Sequence, residues 1–415
     1  MESSLPIPAA VEKKNEYLLQ LRSLLKSSGI YALASLASPL IALVMSPFLT
    51  HTLSHDDYGA LAVLTTVIAL AAGISQLGMG SAFFRTYSYD YESPQDKLKV
   101  LSTTVTILLL TALPLTILMF LCAPWLSQLL FETTLYADPI RYAAVVILLQ
   151  NMSIPGYSWL RAENKALAYS ILSIAYLLLN LLATVILVGP LHAGISGALL
   201  ASGLGYALVV LLTIPVIIFR SGLLLYPRMA GNLLSFGLPL VSNFVSVWIL
   251  QLSDRYLLSH FGSLSETASY SVAYTLGGVV SVVILSPFSL AWPTTMYSIA
   301  KKPAARETFQ VIFHWFSIVL LLAAFGLSLL STLLLTFFFP TAYHAAALVI
   351  PIISASLMFY GLYTIFNIGV SLKRKTWYAA LFTCSAAILN VVLNLVLIPR
   401  YGAMGRGLDA TGLCL

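Results

Sequence analysis

The chain has 415 residues, 59% hydrophobic and 9% charged, with a mean hydropathy of +0.93 and a formal net charge of +6. A soluble domain is about half apolar and about a quarter charged, so this composition excludes an ordinary globular protein. The pI near 9.1 does not point to nucleic acid, because the basic residues fall in short loops between apolar runs, the pattern that orients membrane proteins.

Residues 1–27 carry Lys13, Lys14, Arg22 and Lys26 spread along their length, with no small-residue cleavage site following, so they do not form a secretory signal. "NEYLLQLRSLLKSS" places Tyr17, Leu18, Leu21, Leu24 and Leu25 at helical spacing. It reads as a short helix on the cytoplasmic membrane surface, or as an extension of the first span. Apolar runs then predict spans at 28–50, 58–83, 100–123, 138–160, 167–188, 194–219, 232–252, 268–292, 309–337, 345–370 and 376–398, with a twelfth starting near Gly402. They read as helices, because barrel strands alternate apolar and polar residues with period two.

With the N-terminus inside, seventeen of the twenty-one lysines and arginines fall on cytoplasmic segments, and Arg141, Arg255, Arg400 and Arg406 do not. This asymmetry predicts a cytoplasmic N-terminus. No loop is long enough for a separate catalytic domain. Cys122, Cys384 and Cys414 show no metal or disulfide spacing, and no nucleotide-binding loop or nucleophile–base set appears. No cofactor is expected, and the chain is not read as an enzyme.

Residues 164–200 resemble residues 374–410: Tyr169 or Tyr378, Asn180 or Asn390, Pro190 or Pro399, then Gly194 and Gly197 or Gly402 and Gly405. "SGIYALAS" (28–35) faces "SFGLPLVS" (235–242), and Tyr58 faces Tyr270, at a similar offset. The expected fold is therefore all-α and polytopic. Two six-helix bundles, 28–219 and 220–415, are related by a pseudo-twofold axis along the membrane normal. Arg406 and Asp409 fall where the first half has Ala198 and Ala201. A charge at the membrane centre costs roughly 2.5–3.5 kcal/mol, so the last helix is expected to be truncated, or read out of frame from about Arg406. An unbroken frame with no homologous helix downstream in the gene would remove that expectation.

Three features carry a resemblance: "FLTHTLSHDDYGALAVLTTVIALAAGISQLGMGSAFFR" (48–85), "SFGLPLVSNFVSVWILQLSDRYLLSHFG" (235–262) with "ASYSVAYTLGGVV" (268–280), and the repeated Tyr…Asn…Pro…Gly-x-x-Gly segments. The chain resembles the bacterial polysaccharide and O-antigen flippases of the multidrug/oligosaccharidyl-lipid/polysaccharide exporter superfamily. The resemblance implies two lobes facing a central cavity in the bacterial inner membrane, alternating access, and a polyprenyl-diphosphate-linked oligosaccharide as substrate. Its other implied partners are membrane lipids and the polysaccharide polymerase machinery, and with no nucleotide-binding loop the energy is expected from an ion gradient (H+ or Na+ as coupling cation) or from the substrate's own gradient.

Site candidates follow from where charge sits. Asn243, Gln251, Asp254 and Arg255 fall within about a 120° arc of one helix. Either this face lines the cavity, as polar stripes in spans do, or Asp254 and Arg255 anchor the helix end at the outer interface, about 33 Å along from Asn232. The resemblance makes Asp254 the family's acidic position. Arg85 and Arg161 lie at the cytoplasmic mouth, where they hold a diphosphate bidentately or merely orient the chain. Arg141, at an outer helix start, breaks the inside bias and so has a separate claim. Asn180, Asn390, Asn394, Gln76, Gln150 and Asn151 are expected to bond between helices. Gly73, Gly78, Gly80, Gly277 and Gly278, with Pro39, Pro47, Pro239 and Pro287, are expected to allow close packing and bending. The rival functions are a cation-coupled multidrug exporter, a membrane polysaccharide polymerase or ligase, and an inactive product.

Overall fold

Apolar runs bounded by Ser, Pro and Gly become helices here. The computed structural model describes residues 41–289, 292, 299, 305–366, 381–382, 384–396 and 398. The first half holds α1 (Ile41–Thr52), α2 (His55–Ser75), α3 (Met79–Arg85) with a π-helical turn (Thr86–Asp90), α4 (Pro94–Leu121), α5 (Ala123–Phe131), α6 (Ala137–Ala162), α7 (Ala166–Val188) and α8 (Gly194–Ser221). The second holds α9 (Pro227–Phe261), α10 (Leu264–Gly277) with a π-helical turn (Ser281–Leu285), α11 (Ala305–Phe338), a 3-10 turn (Thr341–Leu348), α12 (Ile350–Phe366) and α13 (Cys384–Val396). The described residues contain no strand. The amphipathic segment 1–27, the start of span one with Pro39, and the Gly402–Asp409 ending lie outside the described residues.

Among the described residues, seven helical segments are long and apolar enough to cross a membrane, or eight if the 3-10 turn and α12, bent by 46°, make one span. The chain is a multi-pass membrane protein. The expected span 138–160 is present as α6, which is long enough but is not among the apolar seven. Its Asp138, Arg141, Gln150 and Asn151 lower its hydropathy, and neighbouring helices enclose its middle and far face, leaving Ile147, Asn151 and Pro155 buried. A polar helix inside a bundle does not have to satisfy lipid.

The expected span 58–83 lies within one membrane-crossing segment, His55–Asp90, whose helix is interrupted at residues 76–78. Leu77 and Gly78 take φ of 49° and 67°, ending α2 and starting α3. Left-handed backbone is easy for glycine and costs leucine more.

The repeat is visible in the bonding. Ser54 and Ser263 cap α2 and α10, each accepting from the backbone N–H three residues on, at Asp57 and Glu266. Each capped helix then sends a tyrosine back to the helix before it. Tyr58 Oη lies 2.9 Å from Ser46 Oγ on α1, and Tyr270 Oη donates to Asp254 Oδ2 on α9 at 2.7 Å.

The ends of the bundle are named here by charge: Arg85, Arg161 and Arg228 mark the basic end, and Ser54, Gly262 and Thr341 the far end. The apolar core does not divide one per half. At the far end one cluster runs from Leu53, Leu61 and Leu64 through Ile140 and Leu199 to Leu258, Val272, Leu335 and Ile350. It is dry enough to push the Tyr136 hydroxyl up to about 12, chiefly by burial, with Asp57 and Asp56 adding. At the basic end a second cluster, including Phe83, Leu101, Leu108 and Ile217, is mostly first-half, with Met229, Ala230 and Leu233 buried in it from the base of α9 and Leu234 and Phe236 packed against it.

Candidate functional site

At the basic end a cavity of about 610 Å³ lies between the halves, lined by Arg85, Tyr89, Asp90, Tyr91, Arg228, Asn232, Ser235 and Phe236. The first half contributes the end of α3 and its π-helical turn. One extra residue per turn re-aims side chains, and such turns recur at functional sites. The second half contributes Arg228, Asn232 and Ser235, spaced four and three apart on one face of α9. Pro227 at the first helical position starts α9, so Arg228 enters from the first turn.

The lining is polar and net basic. Arg85 Nε stands 4.0 Å from Asp90 Oδ1, with its side chain 53% exposed, and its guanidinium lies 4.8 Å over the Phe236 ring. A pair that open contributes little stability, so Arg85 keeps donors for a ligand. Asn232 Nδ2 donates to Tyr91 Oη at 3.0 Å, tying the two halves at the mouth. Arg228 makes no ion pair among the described residues. Two guanidiniums against one carboxylate favour an anion. Bidentate guanidinium geometry suits phosphate oxygens, and the aromatic faces suit the C–H faces of sugar rings.

Of the sequence candidates, only Arg85 lines this cavity. Arg161 is at the same end but stacks on Phe84 and Tyr169, at 4.8 and 5.9 Å. Arg141 donates to Asp138 at 2.6 Å within α6 and lies over Phe120. Its exception to the charge bias is thus balanced by a neighbouring acid. The shared face expected of Asn243, Gln251, Asp254 and Arg255 divides. Asn243 and Gln251 are exposed, whereas Asp254 is buried against Tyr270. Arg255 lies 5.3 Å over Tyr274. Azimuth alone does not decide exposure on a 35-residue helix. Near its far end α9 is covered by α10 and α2, and the same face higher up is not. Asp254 and Arg255 do not pair with each other, as expected of adjacent helical residues.

The buried amides also divide. Asn151 Nδ2 donates to Ser75 Oγ at 2.8 Å, bonding α6 to α2. Asn394 donates to Asn390, and Thr184 to Asn180, within their own helices. Sequence reasoning missed Arg228, Asn232 and Ser235, whose helical spacing beside Pro227 was the available signal.

Asp254 occupies the place that Ser46 holds in the first half, which makes it the fastening of the α9–α10 hairpin. Removing one partner of a buried charged hydrogen bond costs about 1.5–3 kcal/mol. Asp254→Ala is expected to lower apparent unfolding stability in detergent by that amount, and Asp254→Asn by less. Against Tyr270→Phe the losses should be non-additive; strictly additive losses would remove this role.

A family described as polysaccharide biosynthesis protein matches residues 24–297. An uncharacterized membrane protein of Methanocaldococcus jannaschii is 24% identical over 185 residues, a match covering 44% of this chain and 36% of that protein's length. Among solved structures, the lipid II flippase MurJ in an inward closed conformation superposes with a TM-score of 0.71 at 20% identity, covering 92% of this chain and 84% of that one. An inward-facing multidrug resistance transporter of the MATE family, in the MOP superfamily, gives 0.69 at 15% identity, covering 92% and 95%. The fold is the one these transporters share, and the chain belongs to the polysaccharide biosynthesis protein family.

Proposed function

We propose that this chain is a flippase that carries a polyprenyl-diphosphate-linked oligosaccharide across the bacterial inner membrane for surface polysaccharide assembly. The observation that carries the reading is the net-basic cavity between the halves, with Arg85 on one side and Arg228 on the other. In this reading the basic end faces the cytoplasm, which the distribution of lysine and arginine supports. The two guanidiniums hold the diphosphate, Tyr89, Tyr91, Asn232 and Ser235 meet the sugars, and the lipid tail stays in the bilayer. Rocking of the halves moves the opening from the basic end to the far end. A cation gradient, H+ or Na+, supplies the driving force. Family membership and the likeness to a protein named as a lipid II flippase support the class of substrate. The excess of arginine over carboxylate in the cavity favours an anionic substrate over a cationic drug.

The test is complementation. Deleting the gene is expected to strand lipid-linked oligosaccharide in the membrane and deplete surface polysaccharide, and this chain is expected to reverse both. If deletion changes neither quantity, the substrate assignment fails and drug export becomes the reading to pursue.

A further inference from the structure

We propose that His55 is the latch of a closed gate at the far end, holding α2 of the first half to α10 of the second through Ser265 and Ser269. The proposal rests on the transporter reading only in that the two halves move relative to each other. His55 Nδ1 lies 2.8 Å from Ser265 Oγ, and Nε2 lies 3.1 Å from Ser269 Oγ. The serines are four residues apart on α10, so they present one face to the ring. A neutral imidazole donates from one nitrogen and accepts at the other, and a serine hydroxyl does either, so both bonds form in either tautomer. The Tyr343 ring closes the remaining side, edge-on at 4.3 Å. Its hydroxyl has no hydrogen-bond partner among the described residues, so Tyr343 adds packing rather than a bond.

The position of the contact makes it a gate. α2 and α10 are equivalent elements of the repeat, each capped by serine and each sending a tyrosine to the preceding helix. When symmetry-equivalent elements touch each other, the contact sits on the symmetry axis. The path between the halves runs along that same axis. The meeting of α2 and α10 therefore stands across the path at the end opposite the cavity. One turn from His55 the backbones come together at Gly59, where a Cβ would strike the Leu264 carbonyl. The surrounding core is continuous across both halves. Packing closes this end, and His55 supplies bonds that water can replace when it opens. Neutral hydroxyl–imidazole bonds suit a contact that must be broken at every cycle, unlike a buried ion pair, whose separation is costly.

The test reads opening directly, without any transported substrate. Cys122, Cys384 and Cys414 are replaced by serine and Ala268→Cys is introduced, at a fully buried position between the two serines. The protein is placed in nanodiscs, and the rate of reaction with a bulky, charged maleimide is measured. His55→Ala should raise that rate about tenfold, the effect of losing two neutral hydrogen bonds. The Ser265→Ala/Ser269→Ala pair should raise it equally, and His55→Gln should give a smaller rise. Adding His55→Ala to the serine pair should change nothing further. Ala144→Cys, fully buried within the first half, should keep its slow rate in every variant. The latch is overturned if His55→Ala and the serine pair both leave the Ala268→Cys rate unchanged, if their effects simply multiply, or if Ala144→Cys accelerates in parallel. Failure of glycolipid export in cells alongside the expected labelling pattern would count against the substrate reading and leave the gate standing.

Discussion

Replacing Arg85 and Arg228 together with alanine is expected to lower glycolipid export by about a hundredfold or more, with membrane abundance unchanged. Each guanidinium lost removes charge-assisted hydrogen bonds of about 1.5–3 kcal/mol, or about tenfold to a hundredfold each. Both side chains are open at the cavity mouth rather than packed in the core, so the loss falls on the ligand and not on folding. Arg228→Lys keeps the charge but loses the planar fork, and should fall in between. Asp90→Asn should not reduce export, because it frees Arg85 from its 4.0 Å neighbour. Arg255→Ala is expected to behave differently, since Arg255 packs over Tyr274 at the far seam; its effect should appear as a change in stability or gating. The check is export and accumulated lipid-linked oligosaccharide in cells lacking the native gene, alongside immunoblots of the membrane fraction. Normal export by the double variant would remove the charge model of the cavity.

What sequence could reveal was decided by range. Spans are legible because a bilayer core demands about 20 apolar residues in a row, and among the described residues the helices lie close to where hydropathy puts them. The pairing of Tyr58 with Tyr270 was legible because a repeat leaves identical residues at a fixed offset. The matching partners, Ser46 and Asp254, differ chemically, so the fastening they share was hidden by the substitution. Arg228 is one of the seventeen basic residues on cytoplasmic segments, and a basic residue next to a proline looks like a membrane anchor until the helix beginning there is known. The bonds from His55 to Ser265 and Ser269 join residues more than 200 positions apart. They depend on how two halves dock, which no local pattern encodes. In "QLGMG" the glycines are expected to allow close packing and bending; that the chain reverses handedness at Leu77 as well as Gly78 is a tertiary effect, since leucine alone would not choose it.

The same break leads to the second large effect. Gly78→Val is expected to lower stability by about 2–5 kcal/mol, through two separate causes. Valine is poorly tolerated at a φ of 67°, costing about 1–2 kcal/mol, and its Cβ would strike the carbonyl of Gly237, an overpacking cost of about 1–3 kcal/mol. Gly237→Val meets only the second cause, against the Leu77 carbonyl, and should cost less. Gly80→Ala has nothing within 4 Å and lies within α3, so it should be neutral or slightly stabilising. The apparent unfolding midpoint in detergent ranks the three. The ranking separates a backbone-to-backbone contact between the halves from a general need for flexible glycine, which would make all three similar. Gly237 directly follows Ser235 and Phe236 of the cavity lining, so the contact forms the inner limit of the cavity. A side chain inserted there wedges the halves apart just beyond the binding residues. Gly237→Val should therefore impair export even where it still reaches the membrane; full export with lowered stability would mean that the halves separate at this level without needing the close approach.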